Sequence, residues 1–327
     1  MRTCNAAALL EKGTDRGYPS DYLLSRIMGR KSRFIPDWKP LVASPSPLEH
    51  LPEGHYQRNV ADRSAEGIWK ALLIEYRWVY YQMNRHLQEL FGPYFVYAEL
   101  RTIFICLRNL KEMKRAAVRE MLSVSLLSEE IRNILTGSAD ELAAARAMEE
   151  KILCLSKHFT GVAEILHQKG LTGFEHELSE RYLSVIAGAG IHPILHVFFM
   201  RLIDARNLLS LAKLMKLGVS TEHPFIPGGR VDAGLLGEVL DSKNRQGKEK
   251  LLREFTGEEV GSTEPVRLEA SLYRGITRSL KKGGRDVLSI GPVLEYLWRC
   301  SIEAMNLSVL AYGHELERDI VAAELVR

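Results

Sequence analysis

A long-period repeat constrains this chain most. The stretch HPILHVFFMRLIDARNLLSLAKLMKLG (192–218) carries Pro193, Asp204 and Asn207. In GPVLEYLWRCSIEAMNLSVLAYG (291–313), Pro292, Glu303 and Asn306 stand at the same internal spacings, 99 residues later. A weaker copy, GPYFVYAELRTIFICLRNLKEMK (92–114), aligns Glu99 with Asp204 and has Thr102 in place of the asparagine. Each copy reads as an apolar helix opened by a proline, which suits a first helical turn. The acid and the amide, three residues apart, share one helix face. In a core such groups must be hydrogen-bonded, because an unpaired buried polar group costs about 1–3 kcal/mol. The pattern therefore predicts a polar tie that fixes helix packing within each copy. The same side chains, with Arg206 beside them, would also suit the lining of a cavity shared by three units. A period near 100 residues is too long for an ordinary solenoid repeat. It predicts three similar helical domains, 1–114, 115–218 and 219–327, each with a further helix upstream that carries an acid near its start (Glu66, Glu177, Glu269).

The rest of the chain is also helical in pattern, so the expected fold class is all-α. Residues 64–91 begin at Ser64 and place Ile68, Leu72, Leu73, Tyr76, Tyr80 and Met83 at helical intervals. Residues 138–170 are rich in Ala, Glu, Leu and Lys, with Gly170 as the expected stop. Residues 267–284 end in two glycines after two lysines, whose charge suits a helix C-terminus. Period-two runs of β-branched residues are almost missing, so strands should be few and short. The proline-rich stretch 34–54, the turn at 221–232 and the polar stretch 241–250 read as loops.

Lys and Arg number 44 against 41 Asp and Glu, a net charge of +3. So even a balance gives no support to a dedicated nucleic-acid binder. The four cysteines, Cys4, Cys106, Cys154 and Cys300, lack the paired spacing of a zinc site or disulfide framework, which fits a reducing compartment. No uncharged apolar stretch reaches the roughly 18 residues that suggest a membrane span. The expectation is a soluble, intracellular protein that docks on other components.

Familiar catalytic patterns do not occur. GRKS (29–32) lacks the lead of a phosphate loop, and GAGIHP (188–193) lacks a preceding strand. His192 and His196 have the i, i+4 spacing of metal ligands but no convincing third partner, and His192 reads better as a helix-start residue. The expectation is no catalytic residue, no metal and no cofactor. The basic clusters 26–33 (Arg26, Arg30, Lys31, Arg33) and 281–285 are solvated helix ends that could serve in docking.

Four stretches together resemble the C subunit of V-type (A-type) ATPases and ATP synthases, a family that includes the eukaryotic d subunit. They are YLLSRIMGRKSRFI (22–35), DARNLLSLAKLMKLGV (204–219), FIPGGRV (225–231) with its Pro227-Gly228-Gly229 turn, and 295–327 at the C-terminal end. The departures are Thr102 where asparagine is usual, and Cys300 and Ser301 where relatives commonly carry charge. The resemblance implies a three-domain, all-helical funnel with approximate threefold symmetry. It implies a non-catalytic rotor part of the central stalk, without a small-molecule substrate. Its partners would be the D and F proteins of the central shaft and the ion-carrying membrane ring, on the cytoplasmic face. Two other readings compete. One is a helical-repeat binding or regulatory protein that contacts nucleic acid through Arg26, Arg30, Lys31 and Arg33. The other is a metalloenzyme built on His192 and His196.

Overall fold

The computed structural model describes residues 6–52, 54, 64–219, 225–258, 265–284, 290–313 and 317–326. Among them there is no strand, only an isolated bridge between Leu10 and Leu127. The helices are α1 (Ser20–Arg30), α2 (Lys39–Ala43), α3 (Ala65–Gln82), α4 (Arg85–Lys111), α5 (Arg115–Leu122), α6 (Glu129–Gly137) and α7 (Glu141–Ile152). They continue with α8 (Val162–Ala187), α9 (Pro193–Leu217), α10 (Ala233–Asp241), α11 (Arg245–Thr256), α12 (Pro265–Gly283), α13 (Gly291–Tyr312) and α14 (Arg318–Glu324). The all-helical expectation holds. Cys4, Arg285 and the His223-Pro224 part of the 221–232 turn lie outside the described residues.

The chain forms two compact units. The first comprises residues 1–23 and 73–195, the second 24–72 and 196–327.

The helical pattern of 64–91 divides at Met83. Ser64 opens α3 by accepting the Gly67 N–H at 3.0 Å, as its position predicts. Asn84 then opens α4, its Oδ1 accepting the Leu87 N–H at 3.0 Å. Because Asn84 caps the chain earlier, Pro93 lies inside α4 and not at its start. Tyr76, Tyr80, Tyr94 and Phe95 meet edge to face, with centroids 5.2–6.0 Å apart. Tyr182 of α8 donates to the Pro93 carbonyl at 2.8 Å. Helix α4 is long and apolar enough to cross a membrane, but 78% of its most apolar window is buried inside the protein, as befits a core helix.

The stretch 138–170 is not one helix. Asp140 caps α7, accepting from Ala143 N at 2.8 Å, and α8 starts afresh after Gly161 in the left-handed region (φ +79°). Gly170 (φ +68°) does interrupt the helix, but the chain resumes helical geometry at once, so the glycine marks a kink within α8. Only Glu66 of the three upstream acids lies in a first turn; Glu177 and Glu269 sit deeper in α8 and α12.

In the second unit, α12 and α13 pack as a pair. The indole of Trp298 donates to Thr277 Oγ1 at 2.9 Å, with Phe198 at 5.5 Å and Tyr273 at 5.7 Å from its ring. That bond satisfies the one polar atom of a buried indole. Pro193 is the first residue of α9 and Pro292 the second of α13, both where a missing N–H does no harm.

Candidate functional site

The repeated acids and amides are all buried, each no more than 3% exposed. The acids hold backbone N–H groups of distant loops. In the first unit, Glu99 of α4 accepts Leu126 N–H at 2.5 Å through Oε1 and the Ser125 hydroxyl at 2.9 Å through Oε2. Thr102, one turn on, donates to the same carboxylate. In the second unit, Asp204 of α9 accepts Val231 N–H at 3.0 Å, and Glu303 of α13 accepts Ile35 N–H at 2.6 Å. Glu99 and Asp204 reach forward by the same 27 residues, whereas Glu303 reaches back 268.

The two asparagines act alike. Asn207 donates to Ile226 O and accepts from Ile226 N, both at 2.8 Å. Asn306 treats Val326 the same way at 2.8 and 2.9 Å. A primary amide can do this because it presents one donor and one acceptor side by side, matching the two polar groups of a single residue. The loop is thus paired as a strand neighbour would pair it.

The Pro227-Gly228-Gly229 turn is explained by what it approaches. Gly228 has φ +95°, a conformation that costs a glycine nothing. A Cβ on Gly229 would collide with Asp204 Oδ1, the atom that takes the Val231 N–H. Arg206 is half-buried and lies on a different part of α9 from these bonds.

Burial pushes the Glu99 carboxyl above its ordinary range, against the lowering effect of the Leu126, Thr102 and Ser125 bonds; Glu11 adds to the rise. Asp204 is raised for the same reason, opposed by the Val231 and Arg230 N–H groups and by the Arg230 and Arg201 charges. A carboxyl raised in the folded state favours the protonated fold. Its contribution to stability is full below the unfolded value, about pH 4, and is lost as pH climbs through the folded value. Glu99→Gln keeps an acceptor for Leu126 and carries no charge. The variant should lose less stability than the parent as pH rises from about 4 to 7, measured as the midpoint of thermal unfolding. Identical pH profiles would show that Glu99 does not titrate in this window.

Along α13 the second unit gathers a continuous row. Lys31 Nζ meets Glu295 Oε2 at 2.7 Å, the Phe34 and Tyr296 rings lie 5.3 Å apart, and the Arg299 guanidinium stands 4.2 Å over Phe34. With Glu303 one turn further, residues 295, 299 and 303 line one face against the segment 31–35. Lys31, a residue of the basic cluster, therefore spends its charge inside the unit, while Arg26 and Arg33 are exposed and Arg30 is half-exposed. Sequence reasoning missed Ser125, Ile35, Phe34 and Glu295. The available signal was the recurring Phe-Ile-Pro at 34–36 and 225–227, since Ile35 and Ile226 are both gripped by the motif. His192 Nδ1 lies 3.3 Å from Ile194 N, the helix-start role its position suggests. Among the described residues no group of three or more His, Cys, Asp or Glu gathers as a metal site would.

Helices pinned to loops by repeated, buried acid and amide ties define an all-helical scaffold. The chain belongs to the ATP synthase (C/AC39) subunit family, whose model matches residues 49–320. It is also similar to the C subunit of the V-type ATP synthase in two strains of Thermus thermophilus, 28% identical over 217 residues. That match covers 63% of this chain and 66% of the relative's length, just under two thirds.

Proposed function

We propose that this chain is the non-catalytic rotor subunit of a V-type ATPase or ATP synthase. It links the central shaft, made of the D and F proteins, to the ion-carrying membrane ring on the cytoplasmic face, and it transmits torque between them. The family match over residues 49–320 is the observation that carries this reading. The ties support it physically, because torque transmission asks for stiff helices held in place by buried bonds and not for a reacting group. Three related domains, 1–114, 115–218 and 219–327, belong to the same proposal, with the ties running between them and not within each copy: Glu99, Asp204 and Glu303 hold the N–H groups of Leu126, Val231 and Ile35, each in the next domain of the cycle. The exposed Arg26 and Arg33, with Arg30, supply charge for docking on a neighbour.

The test is ATP hydrolysis measured beside ion uptake in vesicles reconstituted with and without the chain. Complexes lacking it should still hydrolyse ATP, but they should lose ion uptake and become insensitive to reagents that block the ring. Adding the chain back should restore both, with an affinity that falls at high salt. Normal uptake in its verified absence would refute the role.

A further inference from the structure

The second unit contains a cavity of about 310 Å³ lined by the segment 34–39, by Thr277 and Lys281 of α12, and by Arg299, Ile302, Glu303 and Asn306 of α13, with Val326. That volume lies at the lower end of small-molecule sites. Its charged lining is Asp37, Lys39, Lys281, Arg299 and Glu303. Both acids are engaged by backbone: Glu303 accepts Ile35 N–H at 2.6 Å and Asp37 accepts Lys39 N–H at 3.0 Å. The cations differ. Among the described residues Lys39, Lys281 and Arg299 form no ion pair, although lysines and arginines elsewhere in the protein do. The Phe34 ring under the Arg299 guanidinium sets the direction of its fork.

The three cations outnumber the two backbone-engaged acids by one and repel each other, a repulsion that water screens at the exposed Lys39 and Lys281 and less at the half-buried Arg299. An anion between them would relieve that repulsion and take hydrogen bonds from all three. A carboxylate would satisfy the arginine fork and leave the lysines over, whereas a phosphate offers three outward oxygens and up to two charges. Trp38 and Ile302 supply an apolar wall for the rest of such a molecule. We propose that this cavity binds a small, free phosphorylated molecule, its phosphate held by Lys39, Lys281 and Arg299. Occupancy would bridge the segment 34–39 to α12 and α13. The site is independent of the rotor reading, since every lining residue lies within the second unit.

The experiment is calorimetric titration of the purified full chain with pyrophosphate and with AMP at constant ionic strength, alongside thermal unfolding. One saturable site and a raised midpoint are expected. Lys281→Gln and Lys39→Gln should each weaken binding at least tenfold, and Arg299→Lys, which keeps the charge and loses the fork, should weaken it less. The midpoint of each variant without ligand checks that it is folded. Vesicles of phosphatidylcholine with and without phosphatidylinositol phosphate test the other source of the same chemistry. Binding to the phosphorylated vesicles that pyrophosphate displaces would keep the phosphate site but make the occupant a headgroup, overturning the free-ligand part. No saturable binding of any probe, or both lysine variants binding as the parent does, would overturn the proposal.

Discussion

Asn207→Leu and Asn306→Leu are each expected to destabilise the protein by about 2–5 kcal/mol, against a few tenths for Glu249→Ala on the exposed face of α11. Each asparagine is 1% exposed and pairs both polar groups of one loop residue. Leucine fills a similar volume but leaves a buried N–H and a buried C=O without partners, at about 1–3 kcal/mol for each. Chemical denaturation of the purified chain reads the difference. Aspartate at the same positions sharpens the test. Ionised, it repels the loop carbonyl and brings an unpaired charge into the core; protonated, it again presents an O–H beside a C=O. Asn207→Asp should therefore recover stability as pH falls, because its carboxyl is raised in the folded state and the protonated fold is the favoured one. Leucine variants with an unchanged midpoint would mean that the ties do not hold the loops.

The second large effect is local. Glu303→Ala removes the carboxyl that accepts the Ile35 N–H at 2.6 Å and leaves that N–H without its partner, at about 1–3 kcal/mol. Amide exchange at Ile35 should accelerate roughly 10- to 100-fold in consequence, and residues 31–38 should become more accessible to protease. Glu303→Gln keeps an acceptor oxygen and should restore most of the protection. Glu295→Gln, which weakens the ion pair with Lys31 but spares the Ile35 bond, should loosen the segment less. Exchange at Ile35 that is equally slow in Glu303→Ala would mean the segment is held by its ring contacts alone.

What could be read from residues alone follows the range of the interactions. The spacing of Asp204 and Asn207, or Glu303 and Asn306, is a helix-face property, so the motif and its burial were legible. Ser64 and the prolines of α9 and α13 act within one turn and were legible too. Asn84 was not, because the apolar pattern runs unbroken through it and only a capping bond reveals the division. Pro93 misled for the same reason. The partners of the acids lie 27 to 268 residues away; nothing local to Leu126 announces that its N–H will be held by a carboxylate, and for Ile35 the local hint is the Phe-Ile-Pro it shares with 225–227. Lys31 belonged to a basic run that looked solvated; its pairing with Glu295 depends on where α13 arrives.

The bond between Ile35 and Glu303 also sets an order of events during synthesis. Ile35 leaves the ribosome 268 residues before its acceptor, a delay of roughly 15–50 s at ordinary elongation rates. By then every residue of the first unit has been made, since that unit ends at Leu195. Residues 24–52 of the second unit spend the interval without α13 and α14, so Phe34, 7% exposed in the finished fold and packed on Tyr296 and Arg299 of α13, and Leu41, 3% exposed in the helix α2 that packs on α14, are left uncovered. Slowing translation should therefore raise aggregation of this chain, where it would help a domain that folds in chain order.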